Sequence, residues 1–236
     1  MGKHEGFIVG GDYVRNLSYF PWAGYLTFLG YDGSYLCGSS ILNQDILITA
    51  ANCFPLTNIF EITATVGHVD TYQGYVYRVE VYKLHSKFNE VTMGHDIALC
   101  KLKKSLYFRN NVKRLILMER PPNERIAEMV GWGALEEITF KLTRLLKTAY
   151  QNLWTREVCN DVLYKLPEGT ICGGEENGVD FPSSGDEGSG LVIRRRIIVG
   201  VYSYKDIQVS RSLDIYTNVS HFYGWIVRNA RRLKCY

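Results

Sequence analysis

Short apolar runs, separated by turn-forming clusters, recur along most of the 236 residues. Tyr25-Leu26-Thr27-Phe28-Leu29 is a strand-like run that ends at the turn signal Gly30-Tyr31-Asp32-Gly33. Ser40-Ile41-Leu42 and Ile46-Leu47-Ile48-Thr49 flank the turn Asn43-Gln44-Asp45. Tyr75 to Val81 alternates apolar and polar positions, as a half-buried strand does. Leu191-Val192-Ile193 and Ile197-Ile198-Val199 bracket Arg194-Arg195-Arg196 in the manner of a hairpin. Strands at such intervals predict an all-β sandwich or barrel. Helical signals are few. Thr155 is placed to cap a short helix that begins at Arg156. From Val219 to Leu233, Phe222, Trp225, Ile226 and Leu233 repeat near helical spacing. Arg228, Arg231, Arg232 and Lys234 suit the negative end of that helix. The polar stretch 102–125 contains Pro121-Pro122 and is expected to link two subdomains.

Composition narrows the classes. Hydrophobic residues make up 46% and charged residues 22%, which fits a globular chain and not a disordered one. A net charge of +3 argues against a dedicated nucleic-acid binder. No uncharged apolar run reaches the roughly 18 residues of a membrane-spanning helix, so no membrane partner is expected. Met1-Gly2-Lys3-His4-Glu5 is too polar for a signal-peptide core. The six cysteines, Cys37, Cys53, Cys100, Cys159, Cys172 and Cys235, contain no C-x-x-C pair, so no metal site is expected. Asn16 and Asn218 each begin a sequon that permits N-glycosylation. Cysteines and sequons together lean toward a secreted protein.

Seven short motifs then fall in one order: Ile8-Val9-Gly10-Gly11, Cys37-Gly38-Ser39-Ser40-Ile41-Leu42, Thr49-Ala50-Ala51-Asn52-Cys53, Asp96-Ile97-Ala98-Leu99, Gly131-Trp132-Gly133, Gly185-Asp186-Glu187-Gly188-Ser189-Gly190 and Ile215-Tyr216-Thr217-Asn218-Val219. In this order and spacing the chain resembles the trypsin-like serine proteases from Ile8 to its C-terminus. The resemblance implies two six-stranded antiparallel β-barrels with the site between them. The N-terminal barrel is expected at about 20–110, the C-terminal barrel at about 122–218 and a closing helix at about 219–233. Residues 1–7 read as a residual propeptide or an added segment.

The chemistry is not expected to follow the fold. Acyl transfer by a serine triad needs a hydroxyl nucleophile, an imidazole base and a carboxylate to orient it. The resemblance puts Asn52 at the histidine position, Glu187 at the serine position and Asp96 at the third. An amide binds no proton near neutral pH, so Asn52 cannot act as a base. A carboxylate is a poor acyl acceptor. Losing either the serine or the histidine costs such an enzyme roughly 10^6 in turnover. The expectation is therefore a degenerate endopeptidase, not an enzyme. The competing reading is a new acid/base pair of Glu187 and Asp96. His95 is next to Asp96, but strand neighbours face opposite ways, so it is not expected to serve as a substitute base.

The same resemblance assigns the remaining site residues. The oxyanion-hole N–H groups are those of Gly185 and Glu187, and the Glu187 carboxylate is positioned to fold into that hole. Phe181 stands at the floor of the specificity pocket, with Lys205 and Asp214 where glycines normally line its walls. This predicts a blocked pocket with Lys205 paired to Asp214. The activation pair is Ile8 and Asp186, and Phe7 is not the basic residue a trypsin-like activator prefers. The implied disulfides are Cys37–Cys53 and Cys159–Cys172. The pocket disulfide is missing, with Ser183 at its first position. Cys100 and Cys235 either pair with each other or remain free, or Cys235 bonds to another chain. No cofactor is implied.

Loss of nucleophile and base together with a filled pocket resembles the inactivated serine protease paralogues of the scabies mite, relatives of the mite group 3 allergens. That resemblance implies secretion into the mite gut and faeces, and binding of host plasma proteins, complement components above all, without proteolysis. A decoy for protease inhibitors or substrates is the other binding reading.

Overall fold

The computed structural model describes residues 11–31, 33–54, 59–134, 143–163, 166–174, 181–206 and 213–234. After β1 (Asp12–Tyr13) and a single 3-10 turn (Leu17–Tyr19) come the six strands of the first barrel. They are β2 (Ala23–Gly30), β3 (Gly33–Ile41), β4 (Ile46–Thr49), β5 (Ile59–Val66), β6 (Tyr75–Leu84) and β7 (Ala98–Leu102). The barrel closes in the order β2-β3-β4-β7-β6-β5, and every neighbouring pair is antiparallel. Alternation contributes to the closure: Leu26 and Phe28 on β2 are buried on either side of half-exposed Thr27, and Ile62 and Ala64 on β5 on either side of half-exposed Thr63.

The linker contributes β8 (Ile116–Leu117). The second barrel comprises β9 (Ile126–Gly131), β10 (Lys147–Leu153), β11 (Thr170–Gly174), β12 (Gly190–Ile193), β13 (Ile197–Lys205) and β14 (Asp214–Asn218). Its ring runs β9-β10-β11-β14-β13-β12 and returns to β9. Two short strands lie outside the ring: β1 pairs with β10, and β8 runs parallel to β13. The expected two-barrel, all-β architecture is thus the observed one. One apolar core spans both halves, joining Leu26, Phe28 and Leu99 of the first barrel to Val192, Ile198 and Val201 of the second.

The helix α1 (Arg156–Val162) begins where Thr155 accepts the N–H of Val158 through its side chain, as the cap signal predicts. The closing helix α2 (Tyr223–Lys234) starts four residues later than expected. Asn218 is the cause: its Oδ1 accepts the N–H groups of Ser220 and His221, which holds 219–222 as turns. Once begun, α2 buries Ile226, Asn229 and Leu233. Disulfides join Cys37 to Cys53 and Cys159 to Cys172. Cys100 is a buried free thiol, and Cys235, the other cysteine left open by the sequence, lies outside the described residues. Asn16 is exposed, whereas Asn218 is half-buried at the head of the turn. No described helix is long and apolar enough to cross a membrane.

Candidate functional site

The barrels meet where β3 faces the loop ahead of β12. There Gly38 donates its N–H to the Glu187 carbonyl at 2.7 Å. A Cβ on Gly188 would stand 2.0 Å from Thr49 Oγ1 and 2.4 Å from the Gly38 carbonyl, so only glycine lets the loop close against the first barrel. The disulfide from Cys53 to Cys37 ties the 50–54 turn to the same place. These constraints bring Asn52, Asp96 and Glu187, far apart in sequence, into one cleft.

Asp96 is wholly buried. Its Oδ1 accepts the Asn52 backbone N–H at 2.7 Å, and its Oδ2 accepts the Ser203 hydroxyl. Thr217 donates its hydroxyl to the Asp96 carbonyl at 2.6 Å. Burial raises its pKa to about 6, against the lowering effect of the Ser203, Asn52 and Ala51 hydrogen bonds, and the nearby Glu187 charge adds to the rise. The carboxylate therefore holds the Asn52 main chain and not its side chain. The Asn52 amide turns to the second barrel, where Nδ2 donates to the Ser203 carbonyl at 2.8 Å. Its Oδ1 is buried and accepts no hydrogen bond.

Glu187 bends back over its own loop. Its Oε2 accepts the Gly185 N–H at 2.7 Å. Burial raises its pKa, while its own N–H and that of Gly185 pull it down. The two backbone donors assigned to the oxyanion hole thus both act on this one carboxylate. Asp186 points the opposite way into the second barrel and is wholly buried. Gly133 and Ser183 donate their N–H groups to it at 2.7 and 3.0 Å. Gly133 must be glycine, since a Cβ there would lie 2.3 Å from Asp186 Oδ2. Desolvation raises the Asp186 pKa to about 7. Ile8, its proposed activation partner, lies outside the described residues.

Beside this cleft Lys205 reaches Asp214 at 3.2 Å, with side-chain exposures of 5% and 0%. The Lys205 ammonium also lies 3.4 Å from the centroid of the Phe181 ring. Phe181, Lys205 and Asp214 are therefore one packed group, with a cation buried between a ring and a carboxylate. Ser183 hydrogen-bonds to the Ala134 carbonyl through its hydroxyl.

Among the described residues no histidine lies in the cleft. His95 has a left-handed φ of 59° and stacks on His85 with ring centroids 4.7 Å apart. His85 also meets Phe222 and Trp225 of the closing segment. His95 does face away from Asp96, but a left-handed turn directs it, not strand alternation. Among the described residues no hydroxyl is hydrogen-bonded to an imidazole: the imidazole nitrogens of His68 and His85 accept only backbone N–H groups. Ser203 and Thr217 are the site residues that motif order missed. Ser203 lies on a stretch of β13 where every residue from Ile197 to Ser203 is buried and the register shifts between Tyr202 and Tyr204, so no alternation singles it out. No group of three or more His, Cys, Asp or Glu side chains suited to a metal occurs among the described residues.

Comparison with known proteins gives one picture. A sequence model of the family described as Trypsin matches residues 8–226. Hypodermin-B of Hypoderma lineatum is 30% identical over 234 residues, covering 96% of this chain and 89% of that protein. Trypsin delta of Drosophila erecta is also 30% identical over 234 residues, with the same coverage. Among solved structures, HL collagenase superposes with a TM-score of 0.80 at 25% identity, over 94% of this chain and 98% of that one. The scabies mite inactivated protease paralogue S-D1 superposes with a TM-score of 0.84 at 21% identity, over 95% and 98%.

Proposed function

The chain belongs to the trypsin family, and from that premise we propose that it is a member that binds without cleaving. One observation carries the reading: Glu187, at the nucleophile's place, spends its carboxylate on the Gly185 N–H that would otherwise stabilise a tetrahedral oxyanion. An anion already in the hole opposes a second one forming there. Asn52, at the base's place, has an amide that takes up no proton near neutral pH. The Lys205–Asp214–Phe181 group supports a blocked specificity pocket, since a substrate cation would have to displace a buried ammonium already paired.

Two disulfides support an extracellular setting. The partner class we propose is host plasma protein, complement components first, held by a surface of about 800 Å² and so by more than the old cleft alone. The mite gut as the place of release is part of the same proposal; the 21%-identical mite protein described as inactivated shares the fold.

Four measurements test the reading. Against a peptide library the purified chain is expected to show no turnover, and a serine-directed phosphonate is expected to leave no covalent adduct. Turnover abolished by Glu187→Ala would instead favour hydrolysis by Glu187 and Asp96. The double revertant N52H/E187S is expected to remain unable to cut after lysine or arginine, and robust cleavage by it would refute the blocked pocket. Added to serum, the unaltered chain is expected to reduce complement-mediated lysis in a dose-dependent way with no fragment of any component produced.

A further inference from the structure

Three of the chain's five histidines gather around one buried ring. His85, His95 and His221 lie with their centroids 5.3, 5.6 and 4.8 Å from that of Phe222. His85 follows β6 and His95 precedes Asp96, so their stack ties together the two ends of the 86–94 loop. Through Trp225 the stack also fastens the loop to α2. Between those ends the loop is held by its own turn: the Asn89 N–H donates to the Gly94 carbonyl at 3.1 Å, and Asn89 Oδ1 accepts the N–H groups of Val91 and Thr92. Met93 and His95 have left-handed φ values of 54° and 59°, a conformation that residues with a Cβ disfavour. The loop, from Phe88 to Val91, is one wall of a cavity of about 460 Å³. Asn52, Phe54 and Leu84 form the other, so the loop's position sets access to the flank of the cleft.

The cluster is built for neutral rings. His85 Nδ1 accepts the Lys87 backbone N–H at 3.2 Å, so a proton added to that nitrogen would meet a donor and break the bond. A charge on His95 would then repel the first across the stack. Lys87 faces the pair from the loop itself and His221 from the approach to α2. Glu168, on the segment ahead of β11, is the acid that faces His95. Gly169 admits that segment, since a Cβ there would stand 2.7 Å from His221 Cδ2. Burial first, then the neighbouring charges, hold both imidazoles below the ordinary value of 6.5, His85 at about 4. A loop freed into solvent would return them to the ordinary range, so added protons favour the free loop.

We propose that the His85–His95 stack is an acid-operated latch: protonation of the pair releases the 86–94 loop from α2 and opens the cavity beside the cleft, while both barrels and α2 stay folded. The two left-handed residues help the release, because leaving the stack relieves their backbone. The latch is independent of whether the cleft has lost its activity.

The test is backbone NMR relaxation of the full chain in a series from pH 7.5 to pH 4.5. At the upper end the 86–94 amides are expected to have order parameters of about 0.85, as in β6, β7 and α2. At the lower end the loop is expected to fall below about 0.6 while those elements keep their values. His95→Asn removes one imidazole and substitutes a residue suited to a left-handed φ, so its loop is expected to remain ordered at pH 4.5. Two exposed positions give a second readout that does not depend on how that variant folds. Lys87→Gln removes a facing cation and is expected to move the midpoint of loosening to higher pH. Glu168→Gln removes the facing acid and is expected to move it to lower pH. A loop that stays ordered at pH 4.5, a loss of order shared equally by β7 and α2, or loosening of His95→Asn as far as the parent would each overturn the proposal. So would midpoint shifts of the same sign in K87Q and E168Q.

Discussion

The Glu187 carboxylate accepts the backbone N–H of Gly185, two residues earlier on the same loop, at 2.7 Å. That contact places a partly desolvated anion close to two wholly buried ones. The Glu187 charge raises the pKa of both Asp96 and Asp186. Asp96 is brought to about 6 and Asp186 to about 7, with desolvation the larger cause in each.

All three carboxyls hold protons more tightly when folded than when unfolded. For Asp96 and Asp186 the contribution to stability is complete below the unfolded carboxylate range, about pH 4, and is lost as the pH rises through 6 and 7; Glu187 acts with the same sign. Glu187→Gln keeps an acceptor for Gly185 but removes the charge. Its melting temperature is expected to fall less steeply than the parent's between pH 5 and pH 8. Identical slopes in the two proteins would show that Glu187 does not share a field with the aspartates.

His85 and His95 act with the opposite sign. Burial first, then neighbouring cations, lower the His85 pKa from 6.5 to about 4, and His95 also falls. Lys87 and His221 face the pair, with Glu168 the one acid that opposes the shift at His95. Between about pH 4 and 6.5 the unfolded chain binds more protons than the folded one, so stability rises with pH across that window and levels above it. His85→Phe retains a ring against Phe222 and Trp225. It is expected to flatten the urea midpoint between pH 4.5 and 6.5 relative to the parent, while leaving the midpoint at pH 8 nearly unchanged.

Lys205 and Asp214 can be separated by a double-mutant cycle. Asp214→Asn leaves a buried ammonium against Phe181, and Lys205→Met leaves a buried carboxylate. Each single change is expected to cost about 3–5 kcal/mol, the penalty of a buried charge without its partner. The double variant K205M/D214N is expected to recover most of that loss, since desolvation and attraction nearly cancel in such pairs. Additive losses in urea denaturation would mean that the two side chains do not depend on each other.

Strand placement was legible in the sequence because alternation and turn residues are local signals. Tyr75–Val81 lies within β6, and Asn43-Gln44-Asp45 does turn between β3 and β4. The closing of the helix start was not, because it depends on which of several polar side chains captures the N–H groups after Asn218. In the cleft, motif order placed Asn52, Asp96 and Glu187, and residue chemistry foresaw the Lys205–Asp214 contact. The partners of Asp96 were out of reach. Ser203 lies 107 residues away and Thr217 lies 121 away, and only barrel closure brings them together.

The hairpin between β12 and β13 offers a test in which two known costs compete. Arg194 and Arg195 occupy its turn with φ of 50° and 52°, left-handed values that favour Asn and Gly over a long side chain. Each such residue costs about 1–2 kcal/mol. Against this stand two ion pairs, Arg194 with Glu124 and Arg195 with Glu128, whose arginines are more than half exposed. Glu128 is itself nearly buried, so Arg195 is left in place. The exposed Arg194 pair contributes about 0–1 kcal/mol. Strain therefore outweighs attraction at Arg194, and Arg194→Asn is expected to raise stability by about 1 kcal/mol despite losing its contact. Chemical denaturation at low and high salt separates the two effects. The gain should be larger at high salt, where the parent's ion pair is screened, and a net loss at both salts would show that the carboxylate contact holds the turn together.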